Sequence, residues 1–196
     1  MLILDDISFK YQEPIFTHVS ISIPERKIGI VGENGIGKTT LLRLLNSEIH
    51  AQSGRILLDE KTYLFHFAFE KYRSFTIQDM LDIAAHMSAF ECSAADDLIA
   101  QLHIGKYMDT KIGKLSKGTA KKVGLLLGLL TRDRLLLIDE PFESLDEATN
   151  LNLTALFRNS ERGMIIVSHD MEYLKNSVEQ IYEIAGESLQ RMETAQ

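Results

Sequence analysis

The residues most able to do chemistry lie in Gly32-Glu33-Asn34-Gly35-Ile36-Gly37-Lys38-Thr39, which reads G-x-x-x-x-G-K-[ST]. Glycines let the backbone curl until successive N–H groups point inward at phosphate oxygens. A helix starting where the loop ends adds its positive N-terminal end. Lys38 supplies a mobile charge for β- and γ-phosphates, and the Thr39 hydroxyl can ligate Mg²⁺. Gly32, Asn34, Gly35, Gly37, Lys38, Thr39 and Thr40 are therefore the candidate nucleotide-contacting residues. A second pair, Asp139-Glu140, closes the apolar run Leu135-Leu136-Leu137-Ile138. In open α/β sheets ligands bind at that end of a strand. Asp139 would hold Mg²⁺ beside Thr39, and Glu140 would act as the base or water-positioner for hydrolysis. The plain structural alternative for Asp139-Glu140-Pro141 is a turn after a strand.

These residues need a strand before the glycine loop and a helix after it. Lys27-Ile28-Gly29-Ile30-Val31 reads as a buried strand, and Thr40–Leu45 as a helix with one apolar face. Residues 1–31 read as β-structure. Leu2-Ile3-Leu4 and Ile7-Ser8-Phe9 are short apolar runs, Val19–Ile23 alternates with period two, and Pro14 and Pro24 mark connections. That alternation predicts an antiparallel sheet with one wet face. Ser53–Leu58 adds a turn and a strand. Residues 75–128 read as a helical insertion, with a helix capped by Thr76, a second over Ala94–Leu102, and a third after Ser116. Leu135–Ile138 and Met164–Val167 read as strands buried on both faces, Leu145–Phe157 as a helix, and Gln180–Gln190 as a hairpin turned at Gly186.

Length and composition set the frame. At 196 residues one domain is expected, and 45% hydrophobic with 25% charged residues is ordinary for a globular protein. The net charge of -7 argues against a nucleic-acid partner bound by phosphate neutralisation. No apolar run reaches the roughly 18 residues that would span a bilayer. The N-terminus lacks a basic region followed by an apolar core, so no secretory leader is expected. The single cysteine, Cys92, allows no internal disulfide, fits a reducing compartment, and reads as a small packed residue.

Further along, Leu115-Ser116-Lys117-Gly118-Thr119, Ser144-Leu145-Asp146 and Val167-Ser168-His169-Asp170 stand in a fixed order around the two motifs above. Together they resemble the ATP-binding-cassette (ABC) ATPase family over nearly the whole chain, most like bacterial drug and peptide export cassettes. The resemblance implies an α/β fold, a P-loop NTPase (RecA-like) core with an N-terminal antiparallel β-subdomain and an inserted α-helical subdomain at about residues 72–128, all one domain over 1–196. It implies ATP and Mg²⁺ as cofactors, with Glu140, His169 and Lys38 catalytic and Thr39 and Asp139 on the metal. Ser116 and the Gly118 backbone would meet the γ-phosphate of a facing cassette, so that two cassettes sandwich two nucleotides. Asp146 would couple the two sites; a helix-start acid near the positive dipole end is its structural alternative. For His169 that alternative is a strand-end histidine. Tyr11, in Phe9-Lys10-Tyr11, lies about where the family keeps an aromatic that stacks on adenine, the alternative being a tyrosine on a β-edge.

The chain departs from the family pattern twice. Lys117 and Thr119 replace the usual glycine and glutamine of the signature. With Lys111, Lys114, Lys121 and Lys122 the region is basic, which reads either as a solvated helix face or as attraction for a facing nucleotide. The family's glutamine before the helical insertion is also missing. Tyr63–Glu70 contains none and Gln78 lies too late; His66 and Glu70 are the candidates to stand in, with a purely structural role for either as the alternative. The implied function is the ATPase subunit of an ABC transporter, cytoplasmic and held peripherally at the inner face of the membrane by a separate permease subunit. Its docking surface is expected around residues 64–90. A soluble ABC ATPase that remodels a cytosolic complex is the second reading. A phosphate-loop kinase or GTPase is a weaker third, opposed by the signature, by His169 and by the lack of an Asn-Lys-x-Asp run.

Overall fold

A computed structural model describes residues 1–65 and 70–193. In chain order its strands are β1 (Leu2–Lys10), β2 (Pro14–Ile23), β3 (Lys27–Val31), β4 (Ser53–Leu58), β5 (Thr62–Leu64), β6 (Leu135–Asp139), β7 (Met164–Val167), β8 (Gln180–Ala185) and β9 (Ser188–Arg191). Its helices are α1 (Lys38–Leu45), α2 (Ile77–Ala85), α3 (Ala95–Gln101), α4 (Lys117–Leu129), α5 (Glu147–Asn159) and α6 (Met171–Ser177), with short 3₁₀ turns between several of them. The fold is α/β. An antiparallel sheet runs β2-β1-β4, and a second sheet runs β5-β6-β7-β3-β8-β9, parallel except for the β8–β9 hairpin.

The second sheet is buried on both faces, and its strands show why they read as continuous apolar runs. Leu136, Ile138, Met164 and Ile166 point into a core shared with α2–α5. Leu135, Leu137, Ile165 and Val167 point into the core shared with α1 and the antiparallel sheet. The period of two is present, but both sides are apolar. Cys92 is half-buried against the helix-side core.

Several elements differ from the sequence reading. The two runs at the N-terminus are one strand, β1, broken by a register shift next to Asp6, whose φ is 57°. Pro14 opens β2 instead of marking a connection. It is the first residue of an edge strand, where a missing N–H disturbs the ladder least. α5 begins at Glu147 and not at Leu145, because Ser144 has φ 65° and Asp146 is the cap, its side chain accepting from Thr149 N. β5 and α6 were not expected. Thr76 does cap α2, through a reciprocal pair with Asp79: Asp79 N donates to Thr76 Oγ1 at 3.0 Å and Thr76 N to Asp79 Oδ2 at 2.8 Å.

Candidate functional site

β6, β7 and β3 are neighbours in the parallel sheet, so their C-terminal ends deliver three loops to one edge. The loop after β3 turns on Gly32, Gly35 and Gly37, with φ 149°, 81° and 117°. At Gly35 a Cβ would meet nothing within 4 Å, so the backbone there borders open space. At Gly37 a Cβ would fall 2.4 Å from Ile15 Cγ2. Leu41 N donates to Gly37 O at 2.8 Å, which starts α1 at the loop's end. Lys38 is only 8% exposed, and its Nζ donates to Gly32 O at 2.8 Å and Glu33 O at 2.9 Å. The lysine thus rests on the carbonyls of its own loop, where charged phosphate oxygens are stronger acceptors.

Thr39 Oγ1 donates to Asp139 Oδ2 at 2.6 Å, across from α1 to the end of β6. A hydroxyl and a carboxylate so placed are hard oxygen donors that suit Mg²⁺. Among the described residues no group of three or more His, Cys, Asp or Glu could hold a metal ion. A cation here would therefore take most of its ligands from phosphate and water, as Mg²⁺ commonly does. Glu140 follows with φ 49°. Its N–H donates to Val167 O at 2.8 Å. Its Oε2 accepts from His169 N at 3.2 Å and lies 2.9 Å from His169 Nδ1. With the carboxylate ionised, Nδ1 carries the proton. A carboxylate held this way can accept a proton from water, with the imidazole as the partner that orients it.

Asn34, Gly35, Gly37, Lys38, Thr39, Thr40, Asp139 and Glu140 line one cavity of about 820 Å³, together with Arg43, Lys117 and Lys121. Gly32 touches it through Lys38, and His169 through Glu140. Tyr11 stands beside it: Arg43 Nη1 donates to its hydroxyl at 3.3 Å, and its ring, 54% exposed, meets Phe9 edge-on with centroids 5.0 Å apart. Ser116, Gly118 and Asp146 do not line it. Ser116 is exposed and caps α4, its Oγ accepting from Thr119 N at 3.2 Å. Thr119, in place of the usual glutamine, also pairs Oγ1 with Ser116 Oγ at 2.8 Å. Asp146 Oδ2 accepts from Lys122 Nζ at 2.8 Å, and hydrogen bonds from Lys122 and Thr149 hold its carboxyl well below the usual carboxylate range. Of the two candidates to stand in for the missing glutamine, His66 lies outside the described residues. Glu70 is exposed, paired with Arg73 at 3.2 Å, and off the cavity.

One expectation is overturned. Lys121 and Lys122 do not lie on a solvated face of α4. Lys121 is 4% exposed; its Nζ donates to Glu140 O at 2.5 Å and Glu143 O at 2.8 Å. Lys122 is largely covered and bridges Asp146 and Thr149. The two carbonyls offset part of the cost of taking the Lys121 ammonium out of water, and burial still holds its pKa below the ordinary lysine value. A signal existed in the sequence: Lys121 is in helical phase with Leu125 and Gly128, both buried. Lys117, by contrast, is exposed as expected.

The family model for ABC transporters matches residues 16–143, more than half of the chain. The chain is 28% identical, over 97% of its length, to the ABC transporter ATP-binding protein ARB1 of Saccharomyces cerevisiae. It spans 33% of the length of that protein and 26% of two other relatives. Its fold is similar to a solved ATP-binding subunit of an ABC transporter, with TM-score 0.84, 18% identity, and coverage of 96% of this chain and 88% of that one. It is also similar to the dimeric structure of MJ0796, a bacterial ABC transporter cassette, with TM-score 0.78, 17% identity and all of both chains covered.

Proposed function

The chain belongs to the ABC transporter family, and from that premise we propose that it is the ATPase subunit of a transporter whose membrane-spanning part is a separate permease polypeptide, driven by ATP-dependent pairing with a second cassette. As a member it binds nucleotide and hydrolyses ATP. The observation that carries the reading further is an asymmetry. Lys38, Thr39, Asp139 and Glu140 converge on one cavity that α4 borders through Lys117 and Lys121, while the α4 cap Ser116 lies exposed and off it. An exposed helix start beside the cavity suits an anion brought by another molecule.

In this reading Lys38 leaves the carbonyls of Gly32 and Glu33 for the β- and γ-phosphates. The backbone from Asn34 to Gly37 and Thr40 cradles the rest of the polyphosphate, and Tyr11, steadied by Arg43, stacks on the adenine. Thr39 and Asp139 would hold Mg²⁺, which neutralises developing charge on the phosphates. Glu140 takes the proton of the attacking water, and His169, whose one ring N–H serves Glu140 before nucleotide arrives, would turn it to the γ-phosphate. Ser116 and the Gly118 backbone close the partner's site, and Asp146 links the two. Loss of the γ-phosphate removes the ligand that favours the closed pair, and the pair opens.

The helical segment offers a place for the permease. A groove of about 590 Å³ is lined by Tyr63, Tyr72, Met80, Ile83, Met87 and Phe90 among others. Tyr72, Phe75, Ile83 and Met87 are exposed, an apolar patch of the kind that marks a partner surface. It falls within the stretch expected from the sequence. Phe65, by contrast, is core, and Phe67 and Phe69 lie outside the described residues. No helix among the described residues is long and apolar enough to cross a membrane.

The test is the solution mass of Glu140→Gln with and without Mg-ATP, beside its turnover. Hydrolysis should fall by about 10²–10⁴-fold with binding kept, and ATP should shift monomer to dimer. Turnover at the wild-type rate removes Glu140 as the base. A nucleotide-bound monomer removes pairing of this chain with itself.

A further inference from the structure

The first two turns of α4 hold the loop after β6 at three points. A Cβ at Gly118 would fall 2.6 Å from Ser144 O, so the helix start lies directly against that backbone. Lys121 Nζ donates to Glu140 O and Glu143 O, with Glu143 Oε2 at 3.9 Å. Lys122 Nζ donates to Asp146 Oδ2 and Thr149 Oγ1. The loop held in this way is strained. Glu140 and Ser144 take φ 49° and 65°, the left-handed region that L side chains rarely adopt. A residue stays there only when its surroundings over-determine it. For Glu140 those surroundings are Val167 O on its N–H and Lys121 on its carbonyl.

We propose that Lys121 is a positioning residue for Glu140. Its ammonium fixes the left-handed turn that aims the Glu140 carboxylate, and it carries movements of α4 to that carboxylate within one chain. The inference rests on Glu140 being the base. It adds a route by which the signature helix, while meeting a facing nucleotide, sets the geometry of its own chain's hydrolytic carboxylate. The lysine is buried, which restrains its stem, and Glu140 O and Glu143 O are backbone carbonyls, so a shift of α4 that the stem does not absorb moves the turn or breaks the bonds. The ammonium also lines the nucleotide cavity, in the field of Asp139, Glu140, Glu143 and Lys117. Burial holds its pKa below the ordinary lysine value, with Lys117 acting the same way and Glu143, Glu140 and Asp139 opposing.

The experiment compares the full chain with Lys121→Met, Lys121→Arg, Glu140→Gln and the Lys121→Met/Glu140→Gln double variant. It reads turnover, and it reads affinity for a fluorescent ATP analogue separately. Lys121→Met should lower kcat by about tenfold or more, the scale of loss when a catalytic group is misplaced by part of an ångström, with affinity within about twofold. Lys121→Arg, which keeps charge and donors, should recover most of kcat. In the Glu140→Gln background Lys121→Met should cost nothing further, because residues that act through one group are not additive. If methionine there prevents folding, Lys121→Gln, with a donor but no charge, replaces it and should fall between the wild type and that loss. Unchanged kcat, loss of affinity in place of kcat, or losses that multiply in the double variant overturn the proposal. Wild-type turnover in Glu140→Gln alone overturns the reading of Glu140, and is told apart because it needs no change at Lys121.

Discussion

The loop after β3 and the loop after β6 leave the same edge of one parallel sheet, and both pass through left-handed backbone. The first does so at Gly32, Gly35 and Gly37, the second at Glu140 and Ser144. Each is crossed by a buried lysine that donates to two of its carbonyls. Lys38 is local, bonding residues five and six positions before it. Lys121 reaches 19 and 22 positions along the chain from another helix. The glycine loop therefore carries its own geometry. The carboxylate loop borrows its geometry from α4, and this makes it able to respond when α4 moves.

Three substitutions sharpen or break that comparison. Gly37→Ala should have the largest effect. Its φ of 117° is hostile to a side chain, and its Cβ would meet Ile15. The cost should be about 1–3 kcal/mol, and ATP affinity should fall more than about tenfold as the loop shifts. Thermal melting and titration with a fluorescent nucleotide read both. A variant with native affinity would show that the loop's geometry is not set by its glycines.

Asp146→Ala comes next, because it removes the cap of α5 and the partner of Lys122. A lost cap costs about 1 kcal/mol. The sign with pH follows from the depressed pKa of Asp146. Its contribution is full above the unfolded value of about 3.9 and fades as pH falls through the folded value. The stability gap between wild type and variant should therefore be constant near neutrality and narrow in acid below about pH 4. A gap that widens in acid would sink the assignment of the shift to Lys122 and Thr149.

Ser144→Gly should do least. Glycine relieves a left-handed residue by about 1 kcal/mol but returns about 0.5–1 through the freer unfolded chain. The melting temperature should stay within about 3 °C of wild type. A large loss would mean that the Ser144 side chain, and not only the lysines of α4, holds the turn.

Most of the candidate site was legible because its parts are written locally. The glycine spacing, Lys38, Thr39 and the apolar run ahead of Asp139-Glu140 each declare a loop, a charge or a strand end within a few residues. The strands of the parallel sheet were legible as runs, since burial on both faces leaves few polar interruptions. β5, at three residues, is too short for a period to show. Bounds failed where a single residue carried the change, as Asp6 does in β1 and Ser144 before α5.

The pairings were of another kind. Nothing near Lys121 says that its ammonium sits on Glu140 O, nor does anything near Asp139 say that Thr39, 100 positions away, meets it at 2.6 Å. The sequence by itself determined which groups are present, and that a phosphate loop, a strand-end carboxylate pair and a helix after Ser116 would form, because turn chemistry and hydrophobic period act over a few residues. Only the tertiary structure decided which groups Lys121 and Lys122 bond and what the Glu140 turn leans on. Those depend on how α4 packs against the β6 loop, and that packing is set by two apolar cores drawn from the whole length of the chain.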